Sequence, residues 1–150
     1  MSRTGPEGVL QQSVVRFDIP GRPVPWKRIR TKGKQRYPDK GQVAAKAAVV
    51  HAFNAARANG PAVDIAQAVA LSVHAVFALP QRPGARRMGC PHIQTPDADN
   101  IAKLVKDALN GVAFVDDRQV CDLRVRKQWS DHNRTSVTVE YIDPLRGRSQ

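Results

Sequence analysis

The sequence predicts one α/β (α+β) domain, with a mixed sheet of about four strands and two main helices in the order β-α-β-α-β-β. Apolar residues alternate as in strands over residues 65–79, 119–129 and 135–141. Residues 42–59 and 101–109 instead carry apolar residues at helical spacing. With 150 residues and 41% hydrophobic composition, the chain is long enough for one core and too short for two comfortable domains.

The first half of the chain supplies one strand and one helix. Residues 14–19 are predicted to form a short strand, because Pro20 and Gly21 follow as a turn signal. Residues 42–59 are alanine-rich and predict a helix that stops at Asn59-Gly60. The residues expected on its buried face are Val43, Ala47, Val50 and Phe53 or Asn54.

Three further strands complete the predicted sheet. Residues 65–79 predict a central strand, whose heavily packed face holds Val69, Leu71, Val73, Ala75, Phe77 and Leu79. The alternation over 119–129 predicts a strand that buries Cys121, with Lys127 interrupting its apolar side. Lys127 could therefore face the acidic residues described below instead of the core. Residues 135–141 are expected to pair with that strand as a hairpin through residues 130–134.

Two acidic pairs flank the second predicted helix. Asp97 and Asp99 are two apart, so both carboxylates can meet at one point only if the chain is extended or just entering a helix there. The buried helix face is formed by Ile101, Leu104, Val105, Ala108 and Leu109. Asn110-Gly111 is a helix stop, and a short apolar run then leads to Asp116-Asp117.

Two interpretations of these carboxylates follow from the spacing. Clustered carboxylates repel, and one would take up a proton unless a cation held them together. Oxygen ligands of this kind suit Mg²⁺ or Mn²⁺. In the alternative interpretation Asp97 caps the helix, Asp99 complements the helix dipole, and Asp116-Asp117 make a turn.

The string P-D-x-D-N-I-x-K-x-x-x-D-A-L-N-G, followed by D-D-x-Q-V, closely resembles the signature of the RusA family of Holliday junction resolvases. The resemblance implies an Mg²⁺-dependent endodeoxyribonuclease, with Mn²⁺ as a substitute, that cuts four-way DNA junctions as a homodimer in recombination and repair. It implies that Asp97, Asp99 and Asp117 are catalytic and bind the metal, and that Lys103 is also catalytic. Asp116 could supply another ligand or position a metal-bound water.

The net charge of +11 indicates a polyanionic partner such as nucleic acid. Residues 21–40 carry eight basic residues and Asp39 alone among acids, with Trp26 and Tyr37 between the charges. This stretch is either a DNA-binding element or a solvated loop, and Trp26-Lys27-Arg28 stands where many RusA-like sequences have an asparagine-containing segment. The predicted DNA-binding residues are Lys27, Arg28, Arg30, Lys32, Lys34, Arg36, Lys106 and Lys127. Arg82, Arg86 and Arg87 could guide a phosphate backbone or could equally be solvated.

The expected domain organisation is a flexible arm at 1–13, a RusA-like nuclease domain at 14–143 and a disordered tail at 144–150. No apolar signal core or membrane span is expected. The two cysteines do not make a disulfide framework, and a cytoplasmic protein encoded by a bacterium or phage is expected. The alternatives are an Mg²⁺-dependent nuclease acting on flaps or replication forks, and a DNA-binding protein without activity.

Overall fold

The computed structural model describes residues 14–37, 39–57, 64 and 66–146. The predicted arm at 1–13 and residues 147–150 of the predicted tail lie outside this range, whereas residues 144–146 form a turn. The strands are β1 (Val14–Pro20), β2 (Arg30–Lys32), β3 (Gln35–Tyr37), β4 (Ala68–Ala78), β5 (Val120–Ser130) and β6 (Arg134–Ile142). The helices are α1 (Lys40–Arg57), α2 (Ala98–Leu109) and a short 3₁₀ helix at Asp117–Gln119.

Four strands form a mixed sheet in the order β1-β6-β4-β5, with β4 parallel to β5 and the other two pairs antiparallel. Helix α1 packs on β1 and on α2, and α2 packs on β4 and β5. The predicted α+β fold with two helices and four sheet strands is therefore confirmed. Within the described residues, no helix has the length and apolar character needed to cross a membrane.

The central strand and the second helix form as their periodicities predict. The packed face of β4 is almost completely buried, and the apolar residues predicted for α2 are all buried. Helix α2 ends at Leu109, and Gly111 follows with a φ of 81°, which a residue with a side chain adopts only at a cost.

The predicted hairpin between β5 and β6 is wrong. Strand β4 lies between them, because β4, α2 and β5 form a crossover unit that pairs β5 parallel to β4. Strand β6 then occupies the other side of β4. The connection passes the end of β4, where Ala78 N donates to Asn133 Oδ1 (2.9 Å) and Leu79 N donates to Ser130 O (2.9 Å).

The prediction that Cys121 enters the core is also wrong, because its side chain is exposed. Val120 pairs with Val69 and Asp122 with Ala70, so a register shift leaves Cys121 without a partner in the ladder. Strand β5 is an outer strand, and its apolar Leu123 is 46% exposed. Alternation identifies the apolar side of a strand but not how much of that side is covered.

The buried residues of helix α1 match the predicted face only at Phe53. Gln42, Val49 and Phe53 are buried, whereas Val43 is exposed. In an alanine-rich helix several faces have similar apolar character, so spacing alone does not select between them. The predicted stop at Asn59-Gly60 lies outside the described residues.

Candidate functional site

The N-terminal end of α2 presents two carboxylates on an ordered backbone. Asp97 has extended geometry (φ −70°, ψ 145°), and its carbonyl accepts the hydrogen bond of Ile101 N (3.2 Å). The extended entry into α2 is thus as predicted. The Asp97 side chain makes no capping hydrogen bond, so the interpretation of Asp97 as a side-chain cap is wrong.

Both carboxylates at this end are exposed. Asp99 lies in the first turn of α2, where a negative charge is favourable next to the helix dipole. Within the described residues, neither Asp97 nor Asp99 has a side-chain hydrogen bond or an ion pair. The structure therefore leaves two carboxylates open to solvent at the start of α2.

Lys127 holds the segment that leads to Asp97. Its Nζ donates to Gln94 O (2.5 Å) and to Pro96 O (2.8 Å). The lysine that interrupts the apolar side of β5 therefore faces the acidic end of α2, as its sequence position suggested. Two of its three N–H groups are engaged with the backbone, and its role as a DNA ligand stays a prediction.

A second tie joins the basic stretch to α2. Trp26 N donates to Asn100 O (2.8 Å). Lys103 Nζ lies 4.7 Å from the centre of the Trp26 ring, a distance at which the ring face attracts the cation. Lys103 also forms an ion pair with Asp107 across one helical turn (3.9 Å). Lys103 is thereby held on the exposed side of α2, one turn after Asp99.

Gln42 fixes the start of the basic stretch, a role that the sequence did not reveal because the helical pattern favoured Val43. Its side-chain oxygen accepts from Lys27 N (3.0 Å), and its Nε2 donates to Lys27 O (3.2 Å). Gln42 is buried. The two hydrogen bonds account for a polar side chain in this position. The backbone at Trp26 and Lys27 is therefore fastened to both helices.

Beyond Lys27 the basic stretch forms a small hairpin, which the sequence did not predict. Strands β2 and β3 pair antiparallel, and Gly33 (φ 64°) begins the turn between them. Among the predicted DNA-binding residues, the exposed ones are Lys27, Arg28, Lys32, Lys34 and Arg36. Arg30 begins β2, and Lys106 is half-buried in the last turn of α2.

The second acidic pair has a different environment. Asp116 Oδ1 accepts from Arg118 N (2.9 Å) and caps the 3₁₀ helix. Gln119 Oε1 accepts from Val115 N (2.8 Å) and Asp116 N (3.0 Å). Its Nε2 donates to the carbonyls of Asp64 and Gln67 (both 2.8 Å). The interpretation of Asp116 as part of a turn is therefore confirmed.

A model of the endodeoxyribonuclease RusA family matches residues 20–140, which include every carboxylate discussed above. The chain belongs to the RusA endodeoxyribonuclease family. The resemblance inferred from the motif is thereby confirmed. The chain is also similar to the uncharacterized protein YqaN of Bacillus subtilis (strain 168), with 47% identity over 47 residues. That match covers 31% of this chain and 33% of YqaN, so the chain spans about a third of this relative's length.

In this RusA-family chain the four candidate metal ligands do not form one cluster. Within the described residues, no three His, Cys, Asp or Glu side chains make a group that could hold a metal ion. One acidic pair, Asp97 and Asp99, lies at the start of α2, and the other, Asp116 and Asp117, follows the helix in the chain. The helix between them has 12 residues and is about 18 Å long. Asp117 is half-buried, and its role stays a prediction.

The carboxylates at the start of α2 nevertheless fit a magnesium ion. Mg²⁺ is usually bound by one or two protein carboxylates, with waters and substrate phosphates completing its octahedron. Asp97 and Asp99 supply two such groups, with oxygen chemistry and without competing partners among the described residues. A three-carboxylate cluster in the free protein is not required for this mode of binding.

Proposed function

We propose that this protein is an Mg²⁺-dependent endonuclease that resolves Holliday junctions by paired, symmetric cuts in DNA recombination and repair. Membership of an endodeoxyribonuclease family supports phosphodiester hydrolysis in DNA. The observation that carries the proposal is the pair Asp97 and Asp99, which are exposed and unpartnered within the described residues on a backbone held from two sides.

The residues around this pair have separable roles in the proposed reaction. Asp97 and Asp99 would hold Mg²⁺, which when bound supplies charge stabilisation at the scissile phosphate and an activated water. Lys127 fixes the backbone before Asp97, and Trp26 fixes the backbone after Asp99. Lys103, one turn beyond Asp99 and only partly neutralised by Asp107, is available to a phosphate oxygen. Asp117 and Asp116, which follow α2 in the chain, would supply the remaining carboxylates of the reaction.

The basic stretch would bind the arms of the junction. Its exposed lysines and arginines project from a segment whose origin is fastened to α1 and α2, next to the carboxylates. Each phosphate neutralised releases counterions, so binding should weaken steeply as salt rises. Replacing Lys27, Arg28, Lys32 and Lys34 together by alanine should flatten the slope of log affinity against log salt.

A homodimer would provide the second cut. A four-way junction has approximate two-fold symmetry, and two sites related in the same way match it directly. Analytical ultracentrifugation with and without junction DNA tests this proposal. A protein that is monomeric in both conditions would contradict the paired cuts, although not the nuclease activity.

A DNA-binding protein without activity is the rival from another class. Two open carboxylates beside a phosphate-binding surface reduce affinity for DNA, and Asp97 contributes no side-chain cap in return. Binding alone therefore gives no reason for them. The rival within enzymes, a nuclease acting on flaps or forks, needs the same carboxylates and differs in its substrate.

Cleavage assays separate the three functions. End-labelled four-way junction, flap, fork and linear duplex are incubated with the protein, with Mg²⁺ or with a chelator. The proposal predicts Mg²⁺-dependent, symmetric nicks in the junction and little cutting of the duplex. Preferred cutting of flaps or forks supports the other nuclease, and binding without cleavage of any substrate supports the non-catalytic alternative.

A further inference from the structure

Two arginines and three rings lie in a row near the segment that leads to Asp97, with the Trp129 ring tilted by 50° to the His92 ring. The rings of Phe77 and His92 are stacked (centroids 3.9 Å apart, interplanar angle 20°), and the Trp129 ring lies 4.4 Å from His92. The guanidinium carbon of Arg22 lies 5.3 Å from the Phe77 centroid, and that of Arg86 lies 5.3 Å from the Trp129 centroid. Two arginines thus cap an aromatic column at its ends.

The middle of this column is uncharged at neutral pH. His92 is buried, and burial together with the nearby charges of Lys127 and Arg22 lowers its pKa below the ordinary 6.5. A neutral imidazole lets the two cations stack on the column without repulsion from its centre. The column joins His92, in the loop at residues 80–96, to Phe77 of β4 and Trp129 of β5.

Arg86 is held in place more firmly than an ordinary surface arginine. Its Nε donates to Pro83 O (2.8 Å), and its Nη2 lies 3.5 Å from Arg82 O. The Trp129 ring lies against the guanidinium, so these contacts together restrict its position. Planar guanidinium groups stack on nucleobases as they do on aromatic rings.

A cavity of about 440 Å³ opens beside this arginine, within the range of roughly 300–1,000 Å³ that small-molecule groups occupy in proteins. Its lining includes Arg86, Trp129, Cys90, Ile93 and Gln94. Ile93 is 89% exposed. Gln94 is bound through its carbonyl to Lys127 and lies three residues before Asp97. The cavity therefore adjoins the segment that carries the proposed reaction.

We propose that this cavity takes one unpaired nucleobase of a branched DNA, stacked on the Arg86 guanidinium. The inference rests on the proposed function and adds the feature by which branched DNA is distinguished from duplex. A paired base inside a duplex cannot enter the cavity, whereas a base at a branch point can leave its stack at lower cost. Stacking tolerates any base, because every base has a π face.

Replacing Arg86 by lysine tests stacking against simple charge. Arg86→Lys keeps the positive charge but removes the planar guanidinium group on which a base would stack. Arg87→Lys is the matched control from the same loop. Binding of junction and duplex is measured by fluorescence anisotropy without Mg²⁺. Arg86→Lys and Arg86→Ala should each weaken junction binding about five- to tenfold, the lower part of the range for stacking on one base, whereas Arg87→Lys should not. Arg86→Lys with the affinity of the unchanged protein would overturn the proposal, and Arg86 would then be a phosphate contact where Arg86→Ala still weakens binding and no DNA contact where it does not.

A second measurement changes the DNA, so its main comparison uses the unchanged protein and does not depend on the folding of a variant. Each nucleotide flanking the branch point is made abasic in turn, and control junctions carry the abasic nucleotide far along an arm. At least one branch position should weaken binding about five- to tenfold, and this effect should vanish in Arg86→Ala. Junction preference without any abasic effect overturns the stacking inference alone. No preference for the junction over duplex overturns both this inference and the proposed junction function.

Discussion

The acidic pair that begins α2 and the acidic pair that follows the C-terminal end of α2 in the chain use their carboxylates differently. At the N-terminal end, Asp97 and Asp99 are exposed and, among the described residues, have no side-chain partners, while the backbone around them is held by Lys127 and Trp26. At the C-terminal end, the Asp116 carboxylate is itself a structural acceptor. At the N-terminal end, Lys127 and Trp26 hold the backbone and leave the two carboxylates exposed. Beyond the C-terminal end, the Asp116 carboxylate itself accepts the hydrogen bond that stabilises the turn.

The start of α2 lacks the stabilisation that a side-chain cap would give. A side-chain cap at an N-cap position contributes about 1 kcal/mol. Asp97 occupies that position without making the bond, whereas Asp116 makes it at the 3₁₀ helix. Local stability that is available and not used is expected where a side chain is needed for function.

The largest expected effect is on cleavage at the N-terminal end. Asp97→Asn and Asp99→Asn should each reduce junction cleavage by about a thousandfold or more, because they remove charge that would bind Mg²⁺. Single-turnover cleavage measures this loss, and anisotropy should show junction binding unchanged or tighter. Thermal unfolding should be nearly unchanged, because both side chains are exposed and neither makes a hydrogen bond or an ion pair within the described residues.

Asp117→Asn and Asp107→Asn sharpen this prediction. Asp117→Asn should also lose cleavage by orders of magnitude, because the resemblance to the RusA signature implies a catalytic role for Asp117. Asp107→Asn should lose much less, because Asp107 pairs with Lys103. An equal and total loss at Asp107 would contradict the assignment of the reaction to the start of α2.

At the C-terminal end the largest expected effect is on stability. Gln119→Leu removes four hydrogen bonds from a buried side chain and leaves backbone groups without partners. A loss of about 2–4 kcal/mol in the free energy of unfolding is expected, below the sum of about 1–3 kcal/mol for each group left unsatisfied, because the backbone partners belong to exposed or half-buried residues that water can reach. Urea unfolding measures it, and the exposed Gln94→Leu change is the control. A loss below about 1 kcal/mol would contradict the structural role of this end.

Lys127→Met tests how the N-terminal end is held. Without the hydrogen bonds to Gln94 O and Pro96 O, the segment before Asp97 loses its support. We expect kcat to fall about tenfold or more, with KM for the junction nearly unchanged, because small misplacements of reacting groups are costly. Arg126→Met on the same strand is the control. A rise in KM with unchanged kcat would instead identify Lys127 as a DNA contact.

The smallest effect concerns pH and the column behind this end. Because the folded pKa of His92 is lowered below 6.5, the unfolded chain binds the proton first as pH falls. His92 should therefore cost no stability above pH 7, and the free energy of unfolding should decrease as pH falls through 6.5 towards the folded pKa. The total decrease is about 1.4 kcal/mol for each unit by which the folded and unfolded pKa values of His92 differ. His92→Phe should lose less stability between pH 7 and 5 in urea unfolding. Equal losses would contradict a buried, neutral His92.

The sequence predicts those parts of the fold that local periodicity determines. The buried face of α2 and the central position of β4 follow from residue spacing, and both are confirmed. The neighbours of β5 do not follow, because the crossover through α2 pairs it with β4 over a long sequence separation. Sequence proximity favoured a hairpin with β6 that the sheet does not contain.

For the candidate site too, the sequence predicts some features and misses others. The motif draws attention to the acidic residues, and the interrupted alternation of β5 left open that Lys127 faces them instead of the core. The capping bonds of Asp116, the clamp of Gln42 on Lys27 and the column ending at Arg86 depend on side chains that meet only in the fold. No spacing rule contains such contacts, and Gln42 in particular occupies a buried position that a helical pattern assigns to an apolar residue.

The central claim is that the start of α2 is the reacting end, and Mn²⁺ tests it directly. The protein, labelled with ¹⁵N and bound to a junction with an uncleavable linkage, is titrated with Mn²⁺, and paramagnetic broadening of the backbone amides is recorded. Broadening should be strongest at residues 97–101 in the unchanged protein and should disappear at the same Mn²⁺ concentration in Asp97→Asn. Strongest broadening at residues 116–118 with sharp signals at 97–101, or broadening that survives Asp97→Asn unchanged, would contradict the account.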